Sequence, residues 1–171
     1  MEINSEMAVA WQNYNAGQLA AAEHACRRVL AADQNYANAL HLLGLIATQH
    51  GRIDLAVEYI RSAIVLNGTD ARLHSNLAAI LKAQGKLDEA ENCSRRALKL
   101  RPDYSVAHYN LGAILEDQGK TDDAIICFRR ALELNPTHAA AYNNLGEAFK
   151  SQRNLVVSFY GAGGCQVPGE G

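Results

Sequence analysis

Glycines at positions 17, 51, 85 and 119 stand 34 residues apart each time, and so do alanines at 22, 56, 90 and 124. A fixed period of this length means that one supersecondary unit recurs and that neighbouring units bury each other's apolar faces. Laying residues 71–104 over 105–138 gives identity at 18 of 34 positions, among them His, Asn-Leu, Gln-Gly-Lys, Arg-Arg-Ala-Leu and Pro. Agreement on that scale is internal duplication.

Each unit divides at its glycine into two helical patterns. In the fourth, Ala107, Leu111, Ala113, Ile114 and Leu115 form one apolar stripe. Ala124, Ile125, Cys127, Phe128, Ala131 and Leu132 form the second, and both have helical rather than alternating spacing. Gly119 falls at a helix C-terminus, where left-handed backbone costs little without a Cβ. Asp88, Glu89, Asp122 and Asp123 then lie in the first turn of the second helices and complement the helix dipole. Pro102 and Pro136 stop helical propagation at the end of their units. Small residues at Gly44, Gly112 and Gly146, with Ala10 and Ala78 in the same place, predict a close crossing against the alanine of the second helix.

The pattern His108, Leu111-Gly112, Leu115, Ala124, Phe128, Ala131 and Pro136 resembles that of the tetratricopeptide repeat family. The resemblance implies an all-α fold, a right-handed superhelical solenoid of antiparallel helix pairs. The repeat domain spans 1–152, with units at about 3–36, 37–70, 71–104 and 105–138 and the first helix of a fifth at 139–152. The remainder, 153–171, departs from the pattern: Arg153 stands where a glycine is due, and Ser158 where an alanine is due. It reads either as a truncated or foreign end, or as a cap or sticky strand over Leu155 to Tyr160. In both cases the fifth unit lacks a second helix, and self-association through the C-terminal end is expected.

Composition narrows the function classes. Sixteen Lys and Arg against eighteen Asp and Glu give a formal charge of −2, which offers no long-range attraction to nucleic acid or anionic membrane. No apolar run reaches the roughly 20 residues that span a bilayer. Four cysteines without a CxxC pair, and an N-terminus unlike a signal peptide, point to reduced thiols in a cytoplasmic protein. His74 and His108 fall at a packing position, and no HxxxH or HExxH spacing is present, so no metal, cofactor or catalytic residue is expected. The arginines of the second helices (Arg27, Arg28, Arg61, Arg95, Arg96, Arg129, Arg130) form a solvated face, partnered by Glu23, Glu58, Glu91 and Glu133.

In the family, the first helix of each pair lines the concave surface, and the resemblance carries a candidate peptide-binding set onto this chain. Asn76, Asn110 and Asn144, one repeat apart, form a ladder that either locks helix to helix or holds a peptide backbone without reading its side chains. Trp11, Tyr14 and His41 give an apolar anchor, beside which Met7 also falls. Arg72 and Lys82 suit an acidic residue, Glu116 and Asp117 a basic one, and Tyr109, Asn143 and Lys150 complete the wall. The carboxylate clamp of chaperone-binding relatives is disfavoured, because Val106 and Ala140 occupy its basic places. The repeats also resemble the arm of bacterial O-GlcNAc-transferase-like proteins. Two functions follow: a non-catalytic scaffold for a protein or peptide partner, or the substrate-recognition arm of a glycosyltransferase whose catalytic domain lies elsewhere.

Overall fold

The computed structural model describes residues 2–162, with side chains as far as Arg153. Nine helices follow one another among them: α1 (Ile3–Asn15), α2 (Leu19–Ala32), α3 (Ala37–Gln49), α4 (Ile53–Leu66), α5 (Ala71–Ala83), α6 (Leu87–Leu100), α7 (Ser105–Asp117), α8 (Thr121–Leu134) and α9 (Ala139–Ala162). The described residues contain no strand.

The turn inside each unit is set by backbone geometry. Gly17, Gly51, Gly85 and Gly119 have φ between 70° and 75°, and among the described residues no other residue type takes a positive φ. A Cβ at any of the four would meet nothing within 4 Å, so the dihedral rather than crowding requires glycine. The residues that follow, Gln18, Arg52, Lys86 and Lys120, donate back to the carbonyls of Asn13, Ala47, Leu81 and Leu115, closing the paired bonds of a Schellman motif.

Within a pair, the crossing is governed by matched volumes. Gly44 faces Ile60 and Gly112 faces Phe128; a Cβ on either glycine would come within 2.6 and 2.7 Å of those side chains. In the first and third units the same place holds Ala10 and Ala78, and the residues corresponding to Ile60 and Phe128 are the smaller Cys26 and Ser94. Cys26, Ile60, Ser94 and Phe128 are all fully buried. A large side chain thus goes with glycine and a small one with alanine, which keeps the interior filled in every unit.

Between units, a side-chain latch recurs, in which Asp88 and Asp122, expected to complement helix dipoles, also take part. Gln84 and Gln118 at the ends of α5 and α7, and Gln152 at the corresponding place inside α9, donate to Asp54, Asp88 and Asp122 of the preceding unit, at 2.9, 3.3 and 2.7 Å. His74 and His108 pair through Nε2 with the carbonyls of Gly68 and Pro102, bracing the loops that join units. They are structural groups, as the packing position predicts.

The first helices of successive units touch one another (α1 with α3, α5 with α7, α7 with α9), whereas the second helices diverge. The tighter layer is the inside of the curve. The last helix differs from the other first helices: α9 runs straight through position 153 to Ala162, so the strand considered for Leu155 to Tyr160 is helical backbone. With no glycine at 153, nothing turns the chain, and the close crossing expected at Gly146 is not made; a Cβ there would meet nothing within 4 Å. The rest of the expected tail, 163–171, lies outside the described residues.

Candidate functional site

Hydrogen bonds on the inner wall recur at an interval of one unit plus one residue. Gln49 donates to the Tyr14 hydroxyl at 2.8 Å, Asn76 pairs with His41 Nε2 at 2.7 Å, and Lys82 meets Asp117 at 2.8 Å. Asn110 donates through Nδ2 to both the carbonyl and the hydroxyl of Ser75, at 3.2 and 3.0 Å. These contacts join each first helix to the next, and they explain the asparagines in part. The Asn76 and Asn110 amides lock helix to helix through their N–H groups.

Their oxygens are left over. A backbone carbonyl can only accept, so the Asn110 NH2 must face Ser75 and Oδ1 must point away from it. Asn76 Nδ2 donates to His41 Nε2, which places the imidazole proton on Nδ1. Neither Oδ1 has a partner among the described residues, and the half-buried side chain of Asn144 forms no hydrogen bond there. Among the described residues, α9 is the last first helix of the stack.

His41 is the most perturbed group of this wall. It is 2% exposed, its Nδ1 is buried without a partner, and the Trp11 ring meets it edge-on at 5.8 Å. Burial lowers its pKa to about 4, helped by the nearby Arg72 guanidinium and opposed by Asp70. The imidazole is therefore neutral at physiological pH. Arg72 is tied to its own helix cap, where it forks onto both Asp70 oxygens at 2.7 to 3.1 Å and holds that carboxyl below its ordinary pKa.

The structure does not keep the predicted set together as one surface. The fifth place of each unit is not a groove position: Met7, His41 and Ser75 are buried beneath the next first helix. Tyr109 at that place is half-buried and stacks on His138 with ring centroids 4.6 Å apart. Asn143, at that place in α9, is exposed, and no described residue stacks over it. Lys82 and Asp117 neutralise each other, Lys150 pairs with Glu147 at 2.7 Å, and Glu116 keeps one buried carboxylate oxygen without a partner. Trp11 and Tyr14 remain on α1, Asn76 on α5 and Asn110 on α7, all on first helices, with Asn144 one unit further.

On the outer face the arginines are largely paired, as expected. Arg27, Arg95 and Arg130 meet Glu23, Glu91 and Glu133. Arg61 passes over the expected Glu58 and reaches Glu89 of the next unit at 2.9 Å. Hydrogen bonds from Arg95, and then from Lys120, hold the Glu91 carboxyl below its ordinary pKa. Two cavities that periodicity could not reveal also occur, one bounded by α6, α7 and α8 and one by α3, α4 and the loop between α2 and α3. One, of about 420 Å³, is walled by Leu98, Leu111 and Ile126; the other, of about 350 Å³, by Leu40, Val65 and Leu66. Cys127 lines the first, but burial pushes its thiol up to about 11, so it is not a ready nucleophile. Among the described residues, no three His, Cys, Asp or Glu side chains gather in a metal-binding group, and no helix is long and apolar enough to cross a membrane.

Comparison with known proteins agrees with this repeat geometry. Tetratricopeptide repeat models match residues 69–137 and 127–156, and a model of anaphase-promoting complex, cyclosome, subunit 3 matches residues 15–97. The chain belongs to the tetratricopeptide repeat family. A search of curated protein sequences gave no match. Among solved structures, MamA superposes with a TM-score of 0.73 at 26% identity, over 92% of this chain and 87% of that one. An O-GlcNAc transferase from Thermobaculum terrenum gives 0.73 at 32% identity, over 77% of this chain but 26% of the enzyme. YrrB, described as a TPR protein with an unusual peptide-binding site, gives 0.69 at 21% identity over 87% of this chain and 77% of its own; that likeness is one of fold.

Proposed function

We propose that this tetratricopeptide solenoid is a non-catalytic scaffold that holds an extended peptide or partner segment along its inner wall. The observation that carries the reading is the orientation of the asparagines. With their N–H groups committed to the preceding helix, Asn76 and Asn110 offer carbonyl oxygens, one per repeat, to the N–H groups of a bound backbone. Packed helices lie about 8–10 Å apart and an extended chain advances about 3.4 Å per residue, so one rung meets roughly every third residue of the peptide. Trp11 and Tyr14, half-buried and edge-to-face at 5.9 Å, supply the apolar end of the same wall, of the kind that dominates interface energies. YrrB, on the same fold, carries a peptide-binding site. We place the protein in the cytoplasm, where Cys26, Cys93 and Cys127, free thiols in the structure, would stay reduced.

Peptide-array screening on the intact chain, followed by backbone N-methylation of a selected binder, tests this reading. N-methylation at every third residue should cut affinity about tenfold or more, the value of one lost hydrogen bond to a well-placed acceptor. Asn144→Ala, which breaks no internal bond, should weaken the same binder. Methylation that is tolerated at every position would sink the ladder.

The 32% identity to the transferase favours a second reading, that the chain serves as the substrate-recognition arm of a glycosyltransferase. A catalytic domain encoded in the same reading frame decides between the two.

A further inference from the structure

Four helix pairs repeat one crossing, and α9 presents the first half of a fifth. In α5 and α7 the stripe that faces the second helix is covered: Leu81 and Leu115 are 0% and 2% exposed, and Leu77 and Leu111 are buried. In α9 the same places hold Phe149, 40% exposed, and half-buried Leu145, with Tyr142 at 54% on the same face. Gly146 sits in the middle of this face. The other two glycines of this place each receive a bulky side chain, Ile60 or Phe128, whereas around Gly146 there is open space.

A charge at the edge of the face lacks the partner that its counterpart has. Arg27 and Arg95 pair with the glutamate four residues earlier on their own helix. Arg61 has Val57 at that place and instead meets Glu89, the residue before the crossing alanine of the next unit. Arg129 has Ile125 there and makes no ion pair among the described residues; its guanidinium lies 5.3 Å from the Phe149 ring. The position that would answer it belongs to a second helix packed on α9.

We propose that the face formed by Tyr142, Leu145, Gly146 and Phe149, with Arg129 at its edge, receives an amphipathic helix from a partner protein and so completes the fifth pair in trans. The α8 crossing specifies the occupant, an acidic residue, then alanine, then three residues and a bulky side chain; α4 shares the alanine and the bulky residue (Ala56, Ile60) but has Leu55 in the acid's place. Asp123, Ala124 and Phe128 of α8 have this arrangement. Glycine at 146 calls for the bulky residue, because glycine faces a large side chain and alanine a small one in every described pair. The acid before the alanine answers Arg129. Residues 163–171 contain no alanine and cannot supply the pattern.

The probe is a labelled, end-capped peptide with the α8 sequence TDDAIICFRRALEL, titrated into the full chain under reducing conditions and followed by fluorescence anisotropy. Saturable binding is expected. Replacing the peptide's phenylalanine by serine, or Gly146→Leu in the protein, should weaken it about tenfold or more through lost burial or a filled notch. Arg129→Glu should weaken it and a peptide with lysine in place of its second aspartate should restore it. Tyr14→Ala on the inner wall should leave it unchanged, which separates this face from the groove. Gly146→Leu lies on an exposed helical face, and circular dichroism verifies that it folds. No saturable binding, or binding indifferent to Gly146→Leu in a folded protein, overturns the proposal. So does a dimer through this face, seen by sedimentation, that the peptide cannot compete away, since the occupant is then a second copy.

Discussion

Two kinds of glycine carry this fold, and single substitutions separate them. At Gly119 the obstacle to alanine is a φ of 75° with open space around the new methyl, so Gly119→Ala should cost about 1 kcal/mol, the penalty of left-handed backbone. At Gly112 the dihedral is ordinary and the obstacle is Phe128 at 2.7 Å, so Gly112→Ala should cost roughly 1–3 kcal/mol through overpacking. Urea denaturation of the two variants, with Phe128→Ser added to each, distinguishes them. The Phe128→Ser loss should be smaller in the Gly112→Ala background, which then copies the Ala78 and Ser94 pair, and unchanged beside Gly119→Ala. His41 makes a residue-scale prediction about pH. The unfolded chain binds a proton on this histidine near pH 6.5 and the folded chain only near pH 4, so between those values the unfolded state holds more protons. Stability is therefore unaffected by this group above pH 6.5 and falls by roughly 3 kcal/mol as pH drops through the window. His41→Leu should flatten that slope relative to the wild-type protein, and Trp11, the one tryptophan of the chain, reports the unfolding by fluorescence.

At the scale of elements, each helix pair is a standard piece, and the joints between pairs are where units communicate. The three Gln-to-Asp latches are partly exposed, so each should contribute only about 0.5–1 kcal/mol. Their joint effect is on coupling. Replacing Gln84, Gln118 and Gln152 together by alanine should leave helical content intact, as read by circular dichroism. Amide exchange should then show the units opening more independently, because nearest-neighbour interfaces make a solenoid unfold as one. An unchanged exchange pattern would mean that apolar stacking alone carries the coupling. The histidines at 74 and 108 act at the same scale: each fixes the loop that precedes its own first helix, through a carbonyl six residues earlier in the chain.

At the scale of the whole molecule, curvature and ends matter most. Stability should be graded along the chain, since α5 to α7 have neighbours on both sides and α9 has them on one. Native-state exchange should accordingly be slowest in α5 and α7 and fastest in α9. The two proposed surfaces lie at different places on this solenoid, one along the inner wall and one at its open end, so each can be removed without the other. Much of this was legible in the sequence. The 34-residue period, the turn glycines and the helical stripes follow from local chemistry and periodicity, which a chain carries in its residue types, and they determined the helix pairs and their order. The placement of side chains between units was not legible in that way. Met7, His41 and Ser75 look like groove residues by unit position, yet the next first helix covers them. Lys82 and Asp117 look like separate recognition groups, yet they meet each other one unit apart. Only the tertiary structure decided which atoms of Asn76 and Asn110 remained available, because a hydrogen bond between units depends on the tilt and spacing of neighbouring helices, and that geometry arises when every unit is packed at once.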